Sequence, residues 1–202
     1  MVPVAGELTD AWADVIPVDA HLAVAWQGFL RHLVPGDRVR RRSPWPSAIL
    51  RRADLVGVSH HDLARDTPLD SLSRLLHPGA DLLVTQGGDG GLLVHLEPDG
   101  SIEAWRYLPA ATASEVDPTG AGDTFLAALH ASFLRPAVAG RRRSPGRLDL
   151  RFAAAAGSLV VEGSGIAGVP DRSAVLARSA RDRSRRAVVR VEVTRVGAFD
   201  PG

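Results

Sequence analysis

One stretch of the chain carries residue types that could bind a phosphate and accept a proton. It comprises residues 116–125, Val-Asp-Pro-Thr-Gly-Ala-Gly-Asp-Thr-Phe, and it precedes an apolar segment with helical spacing. Gly120, Ala121 and Gly122 predict a turn that opens a helix, whose first N–H groups and partial positive charge favour an anion. Asp123 lies in the same turn, where its carboxylate could receive the proton of an attacking hydroxyl. This combination predicts phosphoryl transfer.

Two simpler explanations of this stretch stay open. Acidic residues favour helix N-termini for electrostatic reasons alone, worth about 0.3–1 kcal/mol. A Gly-Ala-Gly sequence can also be no more than a tight turn. A glycine turn followed by an aspartate therefore does not by itself decide between chemistry and local structure.

The whole stretch resembles the C-terminal signature of the ribokinase-like carbohydrate kinases, the PfkB family, in which an Asp-Thr-x-Gly-Ala-Gly-Asp-type motif opens a helix. The resemblance implies transfer of the γ-phosphoryl group of ATP to a hydroxyl of a sugar, a cyclitol or a nucleoside. It assigns Asp123 as general base and the N–H groups of Gly120, Ala121 and Gly122 as the anion hole. The implied cofactors are ATP and Mg²⁺, with room for a monovalent cation, K⁺.

Two aspartates are the metal candidates that this resemblance implies. Asp117 corresponds to the family position near a divalent or monovalent cation, although it can equally be a turn cap. Asp62 and Ser59 take the place of an Asn-x-x-Glu-type motif that helps position magnesium-bound phosphate, and both depart from it. An aspartate keeps the carboxylate with a shorter reach, which allows contact through water. His60 and His61 have no evident third ligand, so we expect them on a helix surface.

Two glycine-containing segments are candidates for contact with the nucleotide. Thr85, Gly87 and Gly90 resemble the family's Thr-x-Gly-x-x-Gly segment, which lies along the nucleotide; alone, this string would favour a β-hairpin. Gly163 and Gly165 follow an alanine-rich helical pattern and correspond to the family's loop beside adenine. The resemblance therefore implies a nucleotide site built from both segments.

Alternating strand and helix patterns must position these residues. Buried strands begin near Leu22, Asp54 and Ala80, with helical patterns or glycine turns at their carboxyl ends. They predict an α/β fold with a mainly parallel sheet flanked by helices. The resemblance implies a ribokinase-like domain over residues 1–175, lacking the family's N-terminal strands and β lid. Residues 176–202 are expected to form an Arg-rich tail or an edge strand.

Two smaller patterns at the N-terminal side also make structural predictions. Val2-Pro3-Val4 has the composition of a short strand at the beginning of the chain. Ser47 precedes a short helical pattern that ends at Arg52, where its hydroxyl is expected to cap the helix.

Composition excludes several classes of chemistry. The chain has 202 residues, 45% of them hydrophobic, and 24 basic against 23 acidic residues give a net charge of +1. Bulk attraction to nucleic acid or membranes is therefore not implied, and the expected partner is a small polyhydroxylated substrate. Cysteine is absent, which excludes disulfides and thiolate sites. Every basic residue is arginine, so a Walker-type phosphate loop and Schiff-base chemistry are excluded as well.

The cellular location and the oligomeric state can also be predicted from the sequence. Neither a signal-peptide pattern nor a long apolar run is present, so we expect the cytoplasm. The family's N-terminal region is not found, which leaves open a fragment, a misplaced start, a half completed by a second chain, and a nucleotide-binding module without turnover. An unpaired sheet edge would promote self-association, so a homodimer or a complementing chain is among the expected partners.

Overall fold

The structure, a computed structural model, describes residues 1–4, 7–133, 147–181 and 188–191. Two units are distinguished within this part of the chain. Unit 1 comprises Met1–Val84 and Val94–Ala104, and unit 2 comprises Thr85–Leu93 and Trp105–Val191. Residues 182–187 and 192–202 of the predicted Arg-rich tail lie outside the described residues.

A mixed, mainly parallel sheet carries the fold, and helices flank it. Its strands are β1 (Ala23–Ala25), β4 (Leu55–Ser59), β5 (Asp81–Thr85), β6 (Gly91–Leu96), β7 (Ile102–Tyr107) and β8 (Val188–Val191), in the order β1-β4-β5-β6-β7-β8. β1 and β4 are parallel, with Val24 opposite Val56. The second sheet pairs β2 (Arg31–His32) with β3 (Arg40–Arg41) in antiparallel fashion. The predicted fold class is confirmed.

Seven helices are described besides short 3₁₀ turns at His60–Asp62, Gly87–Asp89 and Gly165–Gly168. They are α1 (Trp12–Val15), α2 (Gln27–Leu30), α3 (Ala48–Arg52), α4 (Leu69–Ser73), α5 (Ala121–Phe133), α6 (Arg147–Val160) and α7 (Arg172–Arg181). Within the described ranges, none is long and apolar enough to cross a membrane. The three longest helices, α5 to α7, all belong to unit 2.

In unit 1 the predicted strands form because their apolar runs are buried on both faces. The strands expected near Leu22, Asp54 and Ala80 are confirmed as β1, β4 and β5, and their central side chains are inaccessible to solvent. The Asp54 carboxylate accepts a hydrogen bond from the Leu22 N–H at 2.8 Å. The predicted cap on α3 is also confirmed, since the Ser47 hydroxyl accepts from the Leu50 N–H at 3.4 Å.

The strand predicted at Val2-Pro3-Val4 is wrong. These residues have no strand structure; only Met1 bonds the sheet, through its amino group to the Ala23 carbonyl and its carbonyl to the Ala25 N–H. Pro3 has no N–H to donate to a ladder. It packs instead over Gly28, where an added Cβ would lie 2.3 Å from the Pro3 carbonyl oxygen.

In unit 2 small residues allow two long helices to approach closely. A Cβ added at Gly157 of α6 would lie 3.4 Å from the Ala121 carbonyl oxygen and 3.5 Å from Phe125, both on α5. Asp171 caps the start of α7, because its carboxylate accepts a hydrogen bond from the Ala174 N–H at 2.8 Å. α7 runs through residue 175, and β8 stands last in the strand order. The division of the chain at residue 175 stays a prediction.

Candidate functional site

The predicted glycine turn opens α5. Gly120 has a φ of +82°, in the left-handed region that favours glycine, and the helix begins at the next residue. Asp123 lies in the first turn of α5 and is half-buried. A Cβ added at Gly120 or Gly122 would meet nothing within 4 Å, so open space lies beside both residues. The turn therefore leaves room for a ligand to approach the backbone.

The backbone bonds of this turn show how its N–H groups are used. The Thr124 N–H donates to the Gly120 carbonyl at 2.8 Å, which closes the first turn of α5. The Ala121 N–H donates to the Pro118 carbonyl at 3.2 Å. That distance is at the long end of the range for N–H···O bonds, so the interaction is a weak one.

The residues before the turn are fixed to the end of α6. The N–H groups of Val116 and Asp117 both donate to the Val161 carbonyl, at 2.7 and 3.1 Å. A buried carbonyl one residue beyond a helix has no intrahelical donor left to satisfy it, and these two N–H groups fill that role. The position of the motif therefore depends on the position of α6.

Asp117 holds its own turn. Its Oδ1 accepts a hydrogen bond from the Thr119 N–H at 2.9 Å, and its Oδ2 lies 3.5 Å from the Gly165 nitrogen. The hydrogen bonds with Thr119 lower the pKa of Asp117, with a smaller contribution from Gly165. The side chain is therefore ionised at neutral pH, which suits a turn cap and a cation ligand alike. The contact also brings Gly165 next to Asp117, two residues of the predicted set.

A cleft of about 240 Å³ lies in unit 2 and is lined by the segment with Thr85, Gly87 and Gly90 and by the start of α5. One wall comes from the β5–β6 turn, a second from the region before and within α5, and a third from α6. The lining residues are Thr85, Gly87, Gly88, Gly90, Tyr107, Pro109, Thr112, Glu115, Pro118, Ala121, Gly122, Phe125, Ala154, Gly157, Ser158 and Val161. Five predicted residues, Thr85, Gly87, Gly90, Ala121 and Gly122, are among them.

The other predicted residues of unit 2 lie outside the lining. Gly120 and Asp123 adjoin lining residues in the chain. Gly163 crosses Gly168 so closely that a Cβ added at Gly163 would lie 2.5 Å from the Gly168 Cα. The loop after α6 is therefore tightly packed. A glycine is needed at position 163 for steric reasons, with or without a role in nucleotide binding.

Asp62 belongs to unit 1 and already has a counter-charge. Its carboxylate is buried, and it accepts two hydrogen bonds from Arg31, from Nε at 2.7 Å and from Nη2 at 3.1 Å. Among the described residues no group of three or more histidine or acidic side chains is arranged to hold a metal ion. The assignments of Asp62 and Asp117 to a metal stay predictions.

Sequence reasoning missed the aromatic part of the cleft. Tyr107 is buried, and its ring centroid lies 4.8 Å from that of Phe125, with the rings tilted by 35°. Burial raises the pKa of Tyr107, so its hydroxyl stays protonated. Phe125 is the last residue of the motif itself, but nothing in the local pattern indicates that Tyr107, at the end of β7, would meet it.

Comparison with known proteins gives consistent matches. Residues 44–172, more than half of the chain, match the family described as pfkB family carbohydrate kinase. A ribokinase of Arabidopsis thaliana is 32% identical over 144 residues, which cover 66% of this chain and 35% of the relative. The solved structure of an A. thaliana ribokinase with ribose and ATP matches with a TM-score of 0.55 and 26% identity, over 79% of this chain and 47% of that one.

A more distant structure shares the fold. A nucleoside kinase of Methanocaldococcus jannaschii matches with a TM-score of 0.60 at 17% identity, over 85% of this chain and 52% of that one. The chain thus spans about half the length of these solved structures and about a third of the curated ribokinase.

Proposed function

Because this chain belongs to the pfkB family of carbohydrate kinases, we propose that it is an ATP-dependent kinase that phosphorylates a hydroxyl of a sugar, a cyclitol or a nucleoside. The observation that supports this most directly is the cleft of unit 2. The segment with Thr85, Gly87 and Gly90 and the turn with Ala121 and Gly122 are about thirty residues apart in sequence, yet they line the same space. The A. thaliana ribokinase, solved with ribose and ATP, supports this class of substrates.

Asp123 is the general base of the proposed reaction. Asp123 lies in the first turn of α5, is half-exposed and adjoins Gly122, which has open space beside it. Phosphoryl transfer passes through a loose transition state, so it needs positioning and charge stabilisation more than covalent help. A carboxylate that accepts the hydroxyl proton as the bond to phosphorus forms is sufficient for that role.

The start of α5 supplies the anion hole. The N–H groups of Gly120, Ala121 and Gly122 and the helix dipole stabilise the negative phosphoryl oxygens. The weak bond between Ala121 and Pro118 is no obstacle, because a charge-assisted bond to a phosphoryl oxygen is shorter and stronger than a neutral one at 3.2 Å. Since the chain has no lysine, backbone amides, arginine or a cation must carry this stabilisation.

The nucleotide site extends from this turn along the cleft. Thr85, Gly87 and Gly90 line the nucleotide, and Gly163 and Gly165 border its adenine. A cleft of about 240 Å³ is near the lower end of ligand sites, which are about 300–1,000 Å³. Its size suits the base and sugar, and the open backbone at the start of α5 suits the phosphates.

We propose Asp117 of unit 2 and, independently of it, Asp62 of unit 1 as cation-binding residues. Mg²⁺ is usually held by one or two carboxylates, phosphate oxygens and water, and it neutralises charge on the transferred group. The ionised Asp117 fits that requirement and could serve K⁺ in the same way. Asp62 would have to share its carboxylate between the cation and Arg31. A contact between Asp62 and the cation through water would disturb the ion pair with Arg31 least.

A binding assay followed by a substrate screen tests the proposed function. Mg-ATP at about a hundred times its dissociation constant should raise the free energy of unfolding by roughly 2.7 kcal/mol. Phosphorylation is then measured over sugars, cyclitols and nucleosides, with the oligomeric state determined in parallel to detect a homodimer. Turnover of any of these supports the kinase, and binding without turnover supports instead a nucleotide-binding module of the same fold. Absence of binding contradicts both.

A further inference from the structure

Arg178, on α7, forms hydrogen bonds with two residues near the proposed nucleotide cleft, Glu162 and Ala111. The Arg178 guanidinium donates to both carboxylate oxygens of Glu162, from Nη1 at 2.8 Å and from Nη2 at 3.0 Å. Its Nη1 also donates to the Ala111 carbonyl. Glu162 in turn accepts a hydrogen bond from the Ala113 N–H at 2.8 Å. We call these four contacts the Arg178–Glu162 clamp.

The geometry of the clamp is that of a strong ion pair. A planar guanidinium and a carboxylate joined by two parallel bonds hold each other in one orientation, which a lysine cannot reproduce. The side chains are only 18% and 22% exposed, so the clamp is partly shielded from water and salt. The bond with Arg178 is also the main reason why the pKa of Glu162 is lowered.

The clamp fixes the N-terminal end of segment 111–117, and the neighbouring residue Val161 fixes its C-terminal end. Segment 111–117 contains Thr112 and Glu115, which line the cleft. Its C-terminal end donates two N–H groups to the Val161 carbonyl, and its N-terminal end is held by Glu162 and Arg178. Two consecutive residues after α6 thus hold both ends of a wall of the cleft. The position of that wall depends on how α7 is docked, because Arg178 belongs to α7.

We propose that Arg178 and Glu162 are positioning residues, which set the affinity of the cleft for nucleotide by holding segment 111–117 in place. This inference rests on the proposed function, because the ligand is the nucleotide. Neither side chain lines the cleft. Both act through the backbone of segment 111–117, and through it on the motif that begins at Val116. Loss of the clamp lets the wall move, and nucleotide binding must then bear the entropy of ordering it.

Two conservative variants test this inference. Glu162→Gln keeps an oxygen that can accept from Ala113 but removes the charge that Arg178 binds. Arg178→Lys keeps the positive charge but removes the two-pronged geometry. The matched control is Arg181→Lys, at an exposed arginine at the end of the same helix. Titration calorimetry with Mg-ATP gives the affinity, amide hydrogen exchange reports on Ala113 and Asp117, and urea unfolding shows that each variant is folded.

The clamp predicts a specific set of results. Each single variant should bind Mg-ATP about fivefold more weakly than the original chain. The double variant should bind about as weakly as either single variant, because both changes break the same contact. Exchange at Ala113 and Asp117 should accelerate in these variants and not in Arg181→Lys. Folded variants with unchanged Mg-ATP affinity would overturn the positioning role while leaving the proposed function intact. An original chain that fails to bind Mg-ATP would overturn both.

Discussion

The carbonyl oxygen of Tyr107 lies so close to Gly90 that an added Cβ would be only 2.1 Å from it. Gly90 also adopts φ +87° and ψ −121°, a conformation that residues with side chains rarely adopt. Its neighbours in the turn differ. Gly87 has a φ of +59° but open space around it, and Gly88 has open space without a positive φ. A side chain should therefore be tolerated best at Gly88, less well at Gly87 and least at Gly90.

Alanine substitutions in this turn should show a graded loss of stability. Gly88→Ala should leave the free energy of unfolding within about 0.5 kcal/mol of the original value. Gly87→Ala should lower it by about 1–2 kcal/mol, the cost of a side chain in the left-handed region. Gly90→Ala should cost about 3 kcal/mol or more, because strain and a backbone clash add. Urea unfolding measures all three, and equal losses at Gly88 and Gly90 would contradict the contact with Tyr107.

Asp123→Asn should separate binding from turnover. The amide is nearly isosteric with the carboxylate, so the fold and the affinity for Mg-ATP should be retained, whereas the proton acceptor is lost. We expect the rate of ATP-dependent phosphorylation to fall by at least about 10²–10⁴-fold. Asp66→Asn, at an exposed aspartate of unit 1, controls for the change of one charge. Near-normal turnover of a true substrate by Asp123→Asn would remove Asp123 from the proposed mechanism.

Asp117→Asn distinguishes a turn cap from a cation ligand. An asparagine oxygen can still accept from the Thr119 N–H, so the turn and the stability should be preserved. A cation loses the negative charge, so the Mg²⁺ concentration that half-saturates ATP binding should rise by about tenfold or more. Asp117→Ala, which loses both roles, should in addition lower the free energy of unfolding, because the Thr119 N–H loses its acceptor. Unchanged cation dependence in Asp117→Asn would leave Asp117 as a turn cap only.

Local signals in the sequence were enough to find the elements that hold the site. The glycine turn before Asp123 and the Ser47 cap each depend on residues within three positions of one another, so a short stretch determines them. The strands were found because runs of buried aliphatic residues are typical of a parallel sheet. The same reasoning wrongly predicted a strand at Val2-Pro3-Val4, because the packing of Pro3 over Gly28 determines the conformation there.

The walls of the cleft could not be found in this way. Tyr107 meets Phe125 across 18 positions, and Glu162 meets Arg178 across 16, so both contacts depend on how the chain folds back. Arg178 lies in a region with several arginines, where a solvated surface is the usual expectation. Its bidentate partner is visible only once α7 is placed beside the loop after α6. Local pattern thus predicts the candidate residues, and tertiary contacts define the shape of the cleft beside them.

A buried histidine and aspartate in unit 1 should make stability depend on pH. His95 Nδ1 lies 3.0 Å from Oδ1 of the buried Asp81, and its Nε2 lies 3.9 Å from Glu97. The hydrogen bond to Asp81 raises the pKa of His95, and burial raises the pKa of Asp81. The folded chain therefore binds protons more tightly than the unfolded chain at both groups. Their contribution to stability must decline as the pH rises.

The test is the difference between the original chain and His95→Gln. Stabilisation by protonated His95 is complete below its unfolded pKa, about 6.5, and is lost as the pH rises through the raised folded value. The stability advantage of the original chain over the variant, measured by urea unfolding, should therefore shrink as the pH rises above about 6.5. His77→Gln, at a half-exposed histidine, is the control. A difference that grows with pH would mean that the sign of this coupling is reversed.

The ion pair between Asp62 and Arg31 should stabilise the fold, and a double-mutant cycle can measure its contribution. Arg31→Met leaves the Asp62 carboxylate, whose side chain is 5% exposed, without its two hydrogen bonds. Because Arg31 itself is 35% exposed, the loss should be about 1–3 kcal/mol, below that of a fully buried pair. Asp62→Asn added to Arg31→Met should recover part of that loss, because no uncompensated charge then remains. A strictly additive cycle would contradict the pairing.

The same cycle bears on the metal assignment, because the two roles predict different effects on ligand binding. If Asp62 only pairs with Arg31, both single variants should lower the stability and leave the Mg²⁺ requirement of the folded chain unchanged. If its carboxylate also contacts Mg²⁺ through water, Asp62→Asn should raise the Mg²⁺ requirement. Arg31→Met should then lower that requirement, since the carboxylate no longer divides its charge between a guanidinium and the cation. Titration of Mg²⁺ at fixed ATP concentration separates these outcomes.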